Sequence, residues 1–336
     1  MNNIRLNILI IILLASLCGL AQPKFSKISS MPGAFSRMGF GARGIGMGNA
    51  MSSVIEGNLV SYYNPALIIY QENNSFQTSY SFLSLDRSLN FINFTRRFEF
   101  FSDKDSLVEN PKPRATAGVS VGIINAGVSK IDGRDRNGFK TEELSTSENQ
   151  FFLGLANKFS DKISLGVAVK FYYYKLYEKI SATSVGFDIG GLYRINENWI
   201  VSAMISDINS KYKWDTSPVY ELKGSNYEDK FPILRKLGVS YRSKNLGLIA
   251  SAEFENSNAE SNIIRAGAEY NVIEKLFIRA GIDQMNLSNS DFLLKPTFGF
   301  SYFKEFGSIK FGVDYAFMIE QYSPYDRHIV GVNVNF

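Results

Sequence analysis

"ISLGVAVKFYY", Ile163 to Tyr173, alternates without interruption. Ile163, Leu165, Val167, Val169, Phe171 and Tyr173 share one parity, and Ser164, Gly166, Ala168, Lys170 and Tyr172 share the other. Successive side chains of a strand point to opposite faces, so this is a strand with one apolar face and one small, polar face. It is also long, since strands of soluble sheets typically have about five or six residues.

The pattern repeats outward from this stretch. It returns at Val185-Phe187-Ile189, Leu246-Leu248-Ala250-Ala252-Phe254, Leu276-Ile278-Ala280-Ile282, Ile309-Phe311-Val313-Tyr315-Phe317 and Val330-Val332-Val334-Phe336. Short turns such as Ser160-Asp161-Lys162, Asn196-Glu197-Asn198, Ser243-Lys244-Asn245 and Glu305-Phe306-Gly307 alternate with longer polar connections at 103–114, 130–148, 209–230, 256–262, 286–291 and 319–327. Segments near 75–85, 88–100, 114–128, 149–159, 163–176, 183–195, 199–208, 231–242, 246–255, 263–272, 275–285, 294–304, 308–318 and 328–336 give an even count of strands. Short turns at one end and long loops at the other describe an all-β, transmembrane antiparallel barrel of about 14 strands. A soluble β-sandwich or propeller also alternates. Strand length, the small and polar second face, and aromatic clusters such as Tyr172 to Tyr174 and Tyr62-Tyr63, read as girdles at the membrane edges, favour the barrel.

Composition agrees. Aromatics make up 14%, with 27 Phe and 18 Tyr against 2 Trp, and 27 Gly stand against 9 Pro, a β-rich palette. After the first residues no apolar run approaches the roughly 20 needed by a spanning helix. Those first residues carry Arg5, an apolar run from Ile8 to Leu14, and small residues ending in Gly19-Leu20-Ala21. This is the pattern of a secretory signal peptide over residues 1–21, cleaved after Ala21. Leu17 before Cys18 argues against lipidation, so the single cysteine leaves with the signal. With 36 basic and 32 acidic residues, the chain lacks the charge excess that nucleic acid would require.

"GFGARGIGMGNA", Gly39 to Ala50, contains a literal G-x-G-x-x-G. A dinucleotide loop needs a strand before it and a helix after it within a βαβ unit. Here Ser29-Ser30-Met31-Pro32-Gly33 precede it and strands follow, so no nucleotide cofactor is expected. Glycines at 39, 41, 44, 46 and 48 instead permit close backbone packing, as in a compact turn and short helix inside a barrel lumen.

Residues 33 to 68, "GAFSRMGFGARGIGMGNAMSSVIEGNLVSYYNPALI", resemble the N-terminal signature of the PorV/PorQ family, relatives of the FadL-type outer-membrane barrels. The resemblance rests on Gly41-Ala42-Arg43-Gly44-Ile45-Gly46-Met47-Gly48 and on Asn64-Pro65-Ala66. Phe231 to Arg242 and the terminal VGVNVNF are similar to family strands. The chain departs from many relatives in having Glu56-Gly57 and Tyr62-Tyr63 where an acidic pair and a Trp stand. The resemblance implies a plug over residues 22–72, carrying Gly41, Ala42, Arg43, Gly46, Met47, Gly48, Asn64, Pro65 and Ala66 as its motif, and a barrel over 73–336 in the bacterial outer membrane. Phe336, ending an alternating apolar strand, resembles the signal read by the barrel-assembly machinery.

The one histidine, His328, and the absence of a cysteine after the signal remove thiol nucleophiles and Cys/His metal clusters, so no enzyme is expected. Glu142-Glu143 and Asp132 to Arg136 form a mixed-charge loop with Arg134 and Arg136, a solvated surface that is open to lipopolysaccharide or a protein. The loop 209–230 holds Tyr212, Trp214, Tyr220 and Tyr227, candidate anchors for a partner or for the membrane interface. Two functions follow from the resemblance. The expected one, implied by the nearer resemblance, is an accessory role in type IX protein secretion, binding or shuttling exported cargo or secretion subunits at the cell surface. The other is FadL-like passage of small hydrophobic molecules.

Overall fold

The computed structural model describes residues 26–101, 113–289, 291 and 293–336, so the signal segment 1–21 and Cys18 lie outside the described residues. Among the described residues sixteen strands appear in chain order: β1 (Ser75–Phe82), β2 (Arg87–Phe100), β3 (Ala115–Arg134), β4 (Lys140–Lys158), β5 (Ile163–Tyr177), β6 (Ile180–Arg194), β7 (Trp199–Ile208), β8 (Lys211–Asp215), β9 (Asn226–Lys230), β10 (Leu234–Ser243), β11 (Leu248–Ser257), β12 (Asn262–Ile273), β13 (Leu276–Asn286), β14 (Lys295–Phe306), β15 (Ile309–Met318) and β16 (Arg327–Asn335). Fourteen close into an antiparallel barrel, each beside its neighbour in sequence except that β7 pairs with β10 across the separate β8–β9 hairpin. Closure is made by β1 on β16, in register from Ser75 opposite Asn335 to Phe82 opposite His328.

All fourteen barrel strands fall on the segments read from alternation. Their outward parity is apolar and uncovered: Leu165, Val167, Val169 and Phe171 on β5 are 43 to 49% exposed. Transferring such a side chain fully from water to hydrocarbon is worth about 1.5–3 kcal/mol. A wall of them is stable only against lipid. The inward parity of the same strand, Ser164, Gly166, Ala168, Lys170 and Tyr172, is buried.

Several sequence expectations need correction. The stretch 130–148 is not a loop: β3 and β4 run on to Arg134 and from Lys140, leaving 135–139 as the turn. Alternation fades there because neither face is buried. The end of β2 at Phe100 and the start of β3 at Ala115 lie at the same end as the short turns, since β2 runs toward that end and β3 away from it. Tyr62 and Tyr63 belong to no girdle and sit inside the barrel against Phe40 and each other.

Residues 26–71 occupy the lumen. Lys27 meets Glu260 at the long-loop end, where Arg327 Nη1 also donates to the Met38 carbonyl at 2.7 Å. The chain descends through helix α1 (Ala42–Gly46), reaches Arg242 near the short-turn end through Glu56, and crosses β4 to β6 as a 3-10 helix over Pro65–Tyr70. It then enters β1.

Candidate functional site

The lumen has two unlike halves. On the β2–β7 side the plug packs mainly through apolar side chains: Leu67 and Tyr63 join Phe91, Ile124, Phe152, Tyr172, Leu192 and Ile200 in one buried cluster. Asn64 caps the 3-10 helix, its side-chain oxygen accepting from the Ala66 N–H at 2.9 Å while Nδ2 donates to the Ser52 carbonyl at 3.1 Å. Pro65 takes the first helical position, where no N–H is needed. The wall beneath is bare glycine. A Cβ on Gly166 would stand 2.5 Å from the Ala66 nitrogen, so this backbone lies directly on β5.

On the β10–β16 side the filling is ionic. The Arg43 guanidinium donates from Nε and Nη2 to the two Glu269 oxygens, both at 2.8 Å, and from Nη1 to the Glu56 and Asn58 carbonyls at 2.6 and 2.9 Å. Glu269 also accepts from Arg279 Nε at 2.5 Å. Arg279 continues to Ser301, and Ser301 to Asp314 and then Asn333. Higher in the barrel Arg265 joins Glu255 at 3.1 Å to Asp283 at 2.7 Å, and Asp283 accepts from Asn49 Nδ2 at 3.2 Å. A second buried ionic cluster belongs to the opposite wall itself, where Lys170 on β5 lies between Asp188 on β6 at 2.7 Å and Asp207 on β7 at 3.0 Å. Buried charges persist only when paired in this way.

Gly41, Ala42, Arg43, Gly46, Met47 and Gly48 therefore lie together against β13–β15, and Asn64, Pro65 and Ala66 lie across the lumen against β5 and β6. Gly48, at φ +59°, rests so closely on the wall that a Cβ would stand 2.6 Å from the Ala266 carbonyl oxygen and 2.7 Å from that of Ile282. Glu269, Arg279, Arg265, Asp283, Lys170 and Asp188 escaped the sequence reading. Their signal was a charged residue on the small parity of a strand, as at Glu253 and Glu255, which water filling would explain as readily as pairing.

The loop residues separate. Tyr212 and Trp214 are not exposed anchors: β8 alternates, and it turns both rings into a cluster with Tyr172, Tyr174 and Phe231. Trp214 Nε1 donates to Asp229 at 3.0 Å, and burial pushes the Tyr212 phenol upward from its ordinary pKa. Tyr220 is 61% exposed beside Leu222. Arg134 donates to Asp132 at 2.9 Å and to the Gly138 carbonyl at 3.0 Å, while Arg136 is exposed. Hydrogen bonds from Lys140 and Arg134 hold the Asp132 carboxyl below its usual range. His328 faces outward at the rim, its Nδ1 2.7 Å from the Tyr315 hydroxyl. Phe336 is half exposed, and its backbone pairs with Asn74 in both directions at 3.0 and 3.1 Å. Among the described residues no group of three metal-ligating side chains occurs.

No protein-family model and no curated protein matches the chain. Solved structures do. A monoaromatic hydrocarbon channel, the TodX deltaS2S3 mutant, is 14% identical with a TM-score of 0.56, over 88% of this chain and 97% of its own. The Pseudomonas putida toluene transporter TodX is 13% identical with a TM-score of 0.54, over 88% and 96%. A Pseudomonas aeruginosa FadL homologue is 10% identical with a TM-score of 0.53, over 88% and 98%. At these identities the likeness is one of fold: this chain is a closed 14-stranded antiparallel barrel of the architecture shared by FadL-type outer-membrane channels.

Proposed function

We propose that the chain is an outer-membrane channel that admits small hydrophobic molecules past a lumenal plug, which the structure describes over residues 26–71, with its long loops facing outside. The observation that carries this is the division of the lumen. Ion pairs fix the plug to β10–β16, whereas Pro65–Tyr70 meets β4–β6 through backbone, apolar side chains and the Tyr70 ring, whose hydroxyl accepts from Ser164 Oγ at 3.3 Å and whose face lies under Arg194. The Lys170 ion pairs on that side join wall strands to one another. An apolar solute replaces such contacts with equivalent ones at little cost, but it cannot replace a buried ion pair. The permeation seam is therefore the β4–β6 side, and the transporter fold of its structural neighbours supports the reading. The test is uptake of labelled toluene by cells with an intact outer membrane. Cells carrying the protein take it up faster than cells without it, and substitution of Asn64 and Pro65 changes that rate. Equal uptake by cells with and without correctly inserted protein refutes the proposal.

One observation favours a second reading, an accessory role in type IX secretion. Val219, Tyr220 and Leu222, between β8 and β9, form an exposed apolar tip beyond the barrel. Such tips are surfaces for a protein partner. Exported proteins or secretion subunits co-purifying in mild detergent, and lost on deleting 217–223, are the expected result under this reading. Phe336 is then assigned to recognition by the assembly machinery, which deletion of that residue tests through the yield of inserted barrel.

A further inference from the structure

The strand registers divide the outward face of β1–β5 into rows, each one rung above the last. Thr78, Ile92, Ile123, Phe151 and Phe171 lie side by side in one row. The next row toward the long loops reads Tyr80, Asn90, Asn125, Asn149 and Tyr173. The one above it reads Phe82, Ser88, Gly127, Ser147 and Lys175. The wall thus passes in one rung from hydrocarbon-facing side chains to a band of three amides between two tyrosines, and then to small hydroxyls and a bare backbone.

The amides form a connected strip. Asn90 Nδ2 donates to Asn125 Oδ1 at 3.2 Å, Asn125 Nδ2 to Asn149 Oδ1 at 2.7 Å, and Asn149 Nδ2 to Ser147 Oγ at 3.1 Å. Above it the small side chains leave a recess of about 500 Å³ edged by Tyr80, Phe82, Arg87 and Ser145. Its charged rim holds Arg87, with Lys130 4.0 Å from the single lining carboxylate of Asp86 and Lys175 paired in register with Ser147. A comparable strip, Arg235–Asn256–Asn262, sits where β10, β11 and β12 end. By contrast β3 continues from Asn125 to Arg134 and backs the recess with a wall.

We infer that this recess is a binding site for the phosphorylated sugar headgroup of an outer-leaflet glycolipid. Its acyl chains lie on Ile92, Ile123 and Phe151, which places the headgroup at the asparagine row. Planar amides and hydroxyls offer both donors and acceptors to sugar hydroxyls, Tyr80 and Phe82 offer flat apolar edges to ring faces, and the cationic rim matches phosphate. The site rests on the membrane placement given above and is independent of transport.

The experiment reconstitutes the full chain in nanodiscs containing lipid A and phosphatidylglycerol, and reads retained lipid by native mass spectrometry. The wild type keeps lipid A at least tenfold over phosphatidylglycerol. Asn125→Leu combined with Ser147→Leu abolishes the preference, and Ser88→Trp, which fills the recess without touching the strip, does the same. Heat-modifiable gel migration shows that each variant is folded. Equal retention of both lipids by the wild type, or unchanged preference in both folded variants, overturns the site. Failure of the native chain to fractionate with outer membranes would instead overturn the placement, which is read separately.

Discussion

Arg43 ties the lumenal segment to Glu269 on β12 and to its own Glu56 and Asn58 carbonyls, and removing its guanidinium tests the two-sided lumen. Arg43→Ala deletes two bonds to Glu269 and two to the Glu56 and Asn58 carbonyls. Removing one partner of a buried ion pair costs about 3–5 kcal/mol. Glu269 keeps Arg279 at 2.5 Å and so is not left unpaired, which places the loss near the lower end, about 3 kcal/mol. No barrel hydrogen bond is involved. The expected outcome is local: amides of residues 41–60 exchange with deuterium roughly two powers of ten faster in detergent, while amides of β4–β7 keep their protection. Arg43→Lys retains one ionic contact and falls between. The reasoning is refuted if exchange in 41–60 is unchanged, or if the whole barrel loses protection together.

Other consequences are open to the same kind of check. Lys170→Met strands Asp188 and Asp207 beside each other without a cation, and lowers the temperature at which the barrel loses its compact gel migration, by about 3–5 kcal/mol of stability. Gly48→Val places a branched side chain at positive φ against two wall carbonyls, costs more than the about 1–3 kcal/mol of ordinary overpacking, and exposes residues 39–50 to protease. Trp214→Ala removes the ring packed on Tyr174, costs the β8–β9 hairpin about 3 kcal/mol, and makes 209–230 a protease site while the barrel stays intact.

The barrel was legible because lipid imposes a rule on every strand: one parity must be apolar, whatever the rest of the chain does. Leu165, Val167 and Val169 obey it, and so do Val330, Val332 and Val334. The lumenal face follows no such rule, because glycine, serine and paired charge all satisfy it. Glu269 was invisible as a partner of Arg43, from which it is separated by more than two hundred residues, since only the closed register brings β12 beside helix α1. Tyr212 and Trp214 were misplaced for a different reason. Their alternation, Lys-Tyr-Lys-Trp-Asp, is that of a strand, but a five-residue strand within a polar stretch reads as a loop unless the face it covers is known.

The path of residues 26–71 also bears on time. This segment precedes β1 in the chain, yet Lys27 sits at the long-loop end and Gln71 near the opposite one, with fourteen strands around everything between. The β1–β16 seam is therefore expected to zip last, because a wall closed earlier would force a folded, ion-paired segment to thread through a filled ring. Anything fused ahead of Ser26 must already be on the far side when the seam shuts. A bulky, prefolded domain at that position is thus expected to stall assembly at an open sheet, whereas the same domain placed after Phe336 never meets the constraint.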